Sequence, residues 1–141
     1  MAGERVRASF AKQRVMATLG ATLSHVAEGE VHITMPVVDA LTQQHGYLHA
    51  GILATIGDSA CGYAALSLMP EDAAVLSIEF KVNLLAPAKG DRVVAKGRVI
   101  KPGRTITVCA AEIYAGDAAG EKLVATMSGT MMVVRGRGIT D

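Results

Sequence analysis

The 141-residue sequence has little aromatic content and little cysteine: it contains no tryptophan, two phenylalanines and two cysteines. Cys61 and Cys109 lie in apolar runs and are not spaced as C-x-x-C, which argues against a disulfide framework or a cysteine-based metal site. A chain of this length can bury a core without either. We therefore expect one domain over residues 1–141, in a reducing cytoplasm, with a core of small aliphatic side chains that lets its elements pack closely.

An excess of either charge is also missing, since 14 Lys and Arg residues face 13 Asp and Glu residues. A nucleic-acid-binding domain would normally be basic, so we expect no nucleic-acid partner. The N-terminal stretch is amphipathic and contains Arg and Lys, unlike a secretory signal peptide. The most apolar stretch, at about 17 residues, is short for a transmembrane helix, and we expect no membrane association.

That apolar stretch, residues 50–66, is the centre of the predicted fold. It is small and apolar on all sides, and Asp58 is its only ionisable group of consequence. A helix without a polar stripe belongs in a core, and a carboxylate there is costly unless it is hydrogen-bonded or shifts its pKa. Asp58 is therefore the first candidate for chemistry. The alternative is that Asp58 caps a neighbouring element or pairs with a basic side chain.

The other elements follow from periodicity and turn residues. Residues 4–19 are predicted to form an N-terminal surface helix that ends at Gly20. Strands are predicted at residues 22–28, 31–36, 75–84, 92–101, 105–115 and 122–134. In the third strand, Ser77 alternates onto the polar face, opposite Phe80 and Val82. Residues 135–141 are too polar and glycine-rich to pack and are predicted to form a flexible tail.

One long buried helix with several antiparallel strands indicates the α+β class, with a curved sheet of five to six strands wrapped around the helix. A single sheet leaves one side of such a helix uncovered. We therefore expect a second subunit to cover that side.

The run His45-Gly46-x-x-His49-Ala50-Gly51, with Asp58 after it and Pro87-x-x-Gly90-Asp91 downstream, resembles the hotdog-fold acyl-CoA thioesterases, most closely the phenylacetic-acid-degradation type. The resemblance extends over residues 22–134 in element order. It implies hydrolysis of a small, medium-chain or aryl acyl-CoA, without a cofactor or a metal.

The resemblance also implies roles for individual residues. Asp58 activates or orients water, and the backbone N–H of Ala50 polarises the thioester carbonyl. The Gln43 amide helps to hold the site, and Ser77 aids water placement. His49 and Gly51 are implied at the substrate. Ala50 stands where the family commonly has glycine, and Gln43 where it commonly has asparagine.

The residues support this chemistry independently of the family. The start of a helix offers unpaired N–H donors and a positive dipole end, which stabilise an oxyanion. Asp58 lies about 12 Å along the helix from Ala50 at 1.5 Å per residue, too far to act on a carbonyl held there. We therefore expect a homodimer with active sites shared between antiparallel helices, assembled further as a dimer of dimers. Asp58 acts either as a general base or as a nucleophile.

Other chemistries have weaker support. His45 and His49 have a spacing compatible with a metal site but no clear third ligand. His49 fits a capping role better than proton transfer. No G-x-S-x-G motif is present, and Cys61 has no neighbour to stabilise a thiolate.

Two further readings stay open. One is a non-catalytic acyl-CoA or acyl-carrier-protein binding protein of the same fold, and the other is a dehydratase or hydratase, which would need a second acid–base residue. The cations available for coenzyme A phosphates lie near turns or in the tail: Lys89, Lys101, Arg104, Arg135 and Arg137.

Overall fold

A single antiparallel sheet of six strands surrounds one central helix in the computed structural model, which describes residues 2–141. The helices are α1 (Ala2–Lys12), α2 (Arg14–Leu19) and α3 (Ala50–Leu66), with a 3-10 turn at Asp39–Leu41. The strands are β1 (Thr22–Ala27), β2 (Glu30–Pro36), β3 (Ala74–Leu84), β4 (Arg92–Lys101), β5 (Ile106–Asp117) and β6 (Gly120–Val134). They pair in the order β1-β2-β4-β5-β6-β3, so β1 and β3 are the edges. The α+β prediction and the element order are confirmed.

Close packing between helix and sheet depends on small residues, as the composition indicates. Helix α3 contacts strands β2 to β6. At Gly97 of β4, an added Cβ would lie 2.5 Å from the backbone carbonyl of Ala60. Only glycine therefore allows α3 and β4 to approach as closely as they do.

Helix α3 has the predicted bounds, but the prediction that it is buried on all sides is wrong for its first half. Residues 60–66 are all buried, whereas Gly51 is exposed and Thr55 and Asp58 are half-buried. The reason is that one sheet layer covers only one side of the helix, as expected from the fold class.

The predicted N-terminal helix is broken in two. Gln13 has extended backbone angles between α1 and α2, and α2 ends at Gly20 in the left-handed conformation, with φ 67°. The two helices are not purely superficial, because Val6 and Met16 are buried.

The predicted faces of β3 are wrong at Ser77. A β-bulge between Ser77 and Glu79 adds one residue, which reverses the alternation on one side of it. Ser77 therefore lies opposite the buried Met131 and faces α3, on the same side as Val82. As an edge strand, β3 is also more exposed than predicted, with Phe80 46% exposed.

Residues 135–140 are exposed, but the predicted loose tail does not extend to Asp141. Its carboxylate accepts hydrogen bonds from the Val75 N–H at 2.8 Å and from the Ser9 hydroxyl at 3.1 Å. Its carbonyl accepts a hydrogen bond from Arg5 Nε at 3.3 Å. Within residues 2–141, no helix is both long enough and apolar enough to cross a membrane.

Candidate active site

The carboxylate of Asp58 lies at the open side of α3, where Ser77 of β3 reaches it. Ser77 Oγ donates a hydrogen bond to Asp58 Oδ1 at 2.6 Å. Among residues 2–141 no Lys, Arg or His forms a salt bridge with Asp58. Within these residues, Asp58 therefore does not form the ion pair with a basic side chain that was the alternative to a functional role. Asp58 and Ser77 border a cavity of about 380 Å³, here called the carboxylate cavity.

At the start of α3, one N–H group has no acceptor among residues 2–141. His49 is the N-cap residue, and its Nδ1 accepts a hydrogen bond from the Gly51 N–H at 2.8 Å. The N–H groups of Ile52 and Leu53 both bond to the His49 carbonyl. The Ala50 N–H is the group that has no hydrogen-bond acceptor within residues 2–141. His49 thus satisfies the rest of the first turn and leaves the Ala50 N–H available.

Gln43 lies beside this helix start in the loop that precedes it. Its Oε1 accepts hydrogen bonds from the backbone N–H groups of His45 at 2.6 Å and Tyr47 at 3.3 Å. The side chain therefore holds the loop together and leaves the amide NH₂ as its free donor end. Gln43, His49 and Ala50 line a second cavity of about 500 Å³, here called the helix-start cavity, together with Leu53 and Leu84.

The structure therefore assembles the predicted residues into two groups. Asp58 and Ser77 meet at the carboxylate cavity, whereas Gln43, His49 and Ala50 meet at the helix-start cavity. No residue lines both cavities. Gly51 lines neither cavity, but its lack of a side chain leaves room for the His49 ring. An added Cβ at residue 51 would lie 3.1 Å from His49 Nδ1.

A polar network that lines the carboxylate cavity was not predicted. Gln13 donates a hydrogen bond from Nε2 to the Tyr63 hydroxyl at 2.9 Å and accepts one at Oε1 from Ser59 Oγ at 2.9 Å. Burial raises the pKa of the Tyr63 hydroxyl. In sequence, Gln13 is one polar residue in an amphipathic stretch. Its position depends on the break between α1 and α2, which no single residue type marks.

The cysteines do not take part in the site. Both are buried, and burial raises the pKa of the Cys61 thiol far above its ordinary value and that of Cys109 to about 12. Buried structural thiols are inert at neutral pH, and Cys61 is part of the core.

Three of the five candidate cations come together. Arg104, Arg135 and Arg137 line a cavity of about 690 Å³, here called the arginine cavity. Arg135 is paired with Asp72 at 2.9 Å. Among residues 2–141, Leu76 of the edge strand β3 is the one residue that lines both this cavity and the carboxylate cavity. Lys89 lines a different cavity, and Lys101 Nζ donates to the Pro102 carbonyl.

A single antiparallel sheet wrapped around one central helix is the hotdog architecture. The sequence profile of the thioesterase superfamily matches residues 45–121, more than half of the chain. The chain therefore belongs to the thioesterase superfamily, as the sequence resemblance predicted.

Comparison with known proteins agrees. The chain is 54% identical to a thioesterase family protein from Silicibacter pomeroyi of known structure, over 96% of this chain and 100% of that one, with a TM-score of 0.95. The PaaI protein of the Escherichia coli phenylacetic acid degradation operon is 25% identical, over 94% and 93% of the two chains, with a TM-score of 0.84.

A curated relative, human acyl-coenzyme A thioesterase 13, is 31% identical over 93 residues, which cover 65% of this chain and 66% of that protein. The chain spans 65% of the length of the first curated relatives that it matches.

Proposed function

We propose that this protein hydrolyses acyl-CoA thioesters to a free acid and coenzyme A. The observation that carries the proposal is the Asp58 carboxylate, which has no basic partner among residues 2–141, is oriented by Ser77 and borders a cavity. A carboxylate held in this way can accept a proton from water. The membership in the thioesterase superfamily and the name of the human relative support the substrate class.

The reaction needs a hydrogen-bond donor that polarises the thioester carbonyl as well as a base. In the proposed mechanism, the thioester oxygen accepts a hydrogen bond from the Ala50 N–H at the positive end of α3. Asp58 takes a proton as water adds to the carbonyl carbon. The tetrahedral oxyanion then collapses, the carbon–sulfur bond breaks, and the proton passes to the sulfur of coenzyme A. Direct attack by Asp58 to give an anhydride, which water then hydrolyses, uses the same residues.

The two halves of this machinery come from different subunits in the proposal. Ala50 and Asp58 are separated by about 12 Å along one helix at 1.5 Å per residue, and they line separate cavities. A homodimer with antiparallel α3 helices places each Asp58 against the partner's helix start. Two such sites per dimer follow, and a dimer of dimers is the proposed further assembly.

The arginine cavity is the proposed site for the phosphates of coenzyme A. It is lined by Arg104 and Arg137, whose guanidinium groups match phosphate geometry, and by Arg135, which is paired with Asp72. Leu76 lines both this cavity and the carboxylate cavity. The proposed substrate carries a small, medium-chain or aryl acyl group. The phenylacetic-acid-degradation subgroup stays a prediction, with the structural similarity to PaaI as its support.

A non-catalytic acyl-CoA binding protein is the alternative. A binder has little reason to keep a carboxylate without a basic partner on its cavity. A hydratase would need a second acid–base group. Asp141 also lines the carboxylate cavity, but its carboxylate already accepts hydrogen bonds from Val75 N–H and Ser9 Oγ and acts as a tether.

The test is release of free thiol from a panel of acyl-CoA thioesters by the wild type and by Asp58→Asn. We expect the substitution to keep the fold and to lower kcat by at least about 100-fold, the usual scale of general base catalysis. The buried cysteines will not react with the thiol reagent at neutral pH. Turnover of Asp58→Asn equal to that of the wild type would refute the role of Asp58, and no turnover of any thioester by the wild type would favour the binding protein.

A further inference from the structure

The outer face of the β1–β2 hairpin carries three side chains that can bind a metal ion. His25 of β1 lies directly opposite His32 of β2 in the strand pairing. Glu30 lies two residues before His32 on the same strand, and alternate residues of a strand share a face. Val31 and Ile33, which alternate with them, are buried against the core. The three side chains therefore lie together on the side of the sheet that faces away from α3.

An irregularity in β1 produces this alignment. The register shifts between Leu23 and His25, so that Ser24 is an extra residue in the strand. A bulge of this kind redirects the side chains that follow it. It brings His25 opposite His32, where the two rings lie with centroids 4.6 Å apart.

The distances suit a metal centre. His32 Nε2 lies 2.7 Å from Glu30 Oε1, and one ligand atom from each of the three residues lies within 4.8 Å of the other two. Tetrahedral zinc with bonds of 2.0–2.1 Å holds its ligand atoms about 3.3 Å apart. Side-chain rotations that move the ligand atoms by on the order of 1 Å would give that spacing.

Two cations on β4 lie next to the cluster, and both are engaged elsewhere. Lys96 is paired with His32 in the sheet, and Arg98 with Glu30. Lys96 Nζ lies over the ring of Tyr114, 4.8 Å from its centroid, and Arg98 bonds to Glu112 at 3.1 Å. Both partners belong to β5, on the far side of β4 from the hairpin. The charges are therefore directed away from the ligand atoms.

We propose that His25, Glu30 and His32 form a zinc site on the β1–β2 hairpin, separate from the carboxylate and helix-start cavities. Two imidazoles and a carboxylate are ligands that Zn²⁺ accepts, and three protein ligands leave a fourth position for water. The ion would tie the edge strand β1 to β2. The proposal does not depend on the thioesterase activity, because none of the three residues lines either cavity.

The experiment titrates the chelator-treated, tag-free protein with Zn²⁺ by calorimetry and with Co²⁺ by visible absorption, near pH 7.5, about one unit above the usual imidazole pKa. We expect one ion per chain and the intense visible bands of four-coordinate Co²⁺. Each of three substitutions should weaken binding by at least about tenfold: His25→Gln, His32→Gln and Glu30→Gln. Loss of a residue that only hydrogen-bonds to a metal ligand already costs about tenfold or more, and loss of a ligand should cost no less. Glu30→Gln separates metal binding from the hydrogen bond, because the amide can still bond to His32.

His45→Gln is the matched control, since it removes an exposed histidine outside the cluster and should leave the affinity unchanged. Circular dichroism must show that each variant is folded. Absence of Zn²⁺ binding, binding unchanged in His25→Gln and Glu30→Gln, or binding weakened equally by His45→Gln would each overturn the proposal.

Discussion

At the start of α3, the N–H groups of residues 50–53 have different partners, and this difference identifies the Ala50 N–H as the candidate donor to the oxyanion. The N–H groups that precede the first i to i−4 hydrogen bond of a helix have no intrahelical partner. Among residues 50–53, His49 accepts from Gly51 through its ring and from Ile52 and Leu53 through its carbonyl, the last being the first i to i−4 bond. The family resemblance and the position of Ala50 at the start of a helix both predict the oxyanion donor there. The hydrogen bonds of His49 give a physical reason for that choice.

Replacing Ala50 with proline should therefore abolish catalysis without unfolding the helix. Proline is tolerated at the first helical position, and the preceding His49 already has the extended angles, φ −61° and ψ 138°, that proline requires of its neighbour. We expect Ala50→Pro to lower kcat by about 100- to 1,000-fold, the cost of one oxyanion donor, in the thiol-release assay.

Ala50→Gly is the matched control, because it keeps the N–H group and should retain activity. Circular dichroism should show native helix content for both variants. If Ala50→Pro is folded and as active as Ala50→Gly, the Ala50 N–H does not bind the thioester oxygen.

At the scale of elements, the contact between α3 and β4 depends on one glycine. An added Cβ at Gly97 would meet the Ala60 backbone, which cannot move as a flexible side chain can. We expect Gly97→Ala to lower the free energy of unfolding by at least about 1–3 kcal/mol, the usual cost of overpacking. Urea denaturation measures the change.

Gly62 of α3 provides the comparison for that experiment. An added Cβ there would lie 4.0 Å from Met131 Sδ, an ordinary contact, and alanine favours a helix by up to about 1 kcal/mol over glycine. Gly62→Ala should therefore be neutral or stabilising. Equal destabilisation by Gly97→Ala and Gly62→Ala would mean that the contact between α3 and β4 does not require glycine at position 97.

The sequence predicts elements well here and their local irregularities poorly. The bounds of α3 follow from one apolar run ended by loop residues, and β4 follows from turn residues on both sides. The bulge after Ser77 and the break at Gln13 do not, because each depends on tertiary contacts rather than on a residue type. These two irregularities direct Ser77 and Gln13 into the carboxylate cavity. The fold was therefore more predictable than the side chains around Asp58.

At the scale of the whole molecule, the proposed coenzyme A site in the arginine cavity shares the lining residue Leu76 with the carboxylate cavity. Arg137 has no salt-bridge partner among residues 2–141. If it binds a phosphate of coenzyme A, Arg137→Gln should raise KM by about tenfold, which corresponds to about 1.4 kcal/mol, and leave kcat unchanged. Steady-state kinetics over a salt series checks this.

Lys89→Gln removes a cation from a different cavity and serves as the control. A KM that rises equally in both variants would indicate a general charge effect. A KM unchanged in Arg137→Gln would exclude Arg137 from coenzyme A binding.

The open side of α3 and the separate cavities both point to a second copy of the chain. Residues 60–66 are covered by the chain's own sheet, but the side of α3 that carries Asp58 is not. The chain's own sheet leaves this side open, and from the N-terminal segment Gln13 reaches it at Ser59. The second subunit stays a prediction, which the sequence supports through the fold class and the helix length.

The most direct test of this account mixes Asp58→Asn subunits with Ala50→Pro subunits, each inactive alone. Random exchange makes half of the dimers mixed, and one of the two sites in each mixed dimer contains an intact Asp58 and an intact Ala50. We expect activity to return to about a quarter of the wild-type value in a two-fold symmetric assembly, with subunit exchange verified by native mass spectrometry. Folded, exchanged subunits that recover no activity would contradict the shared site.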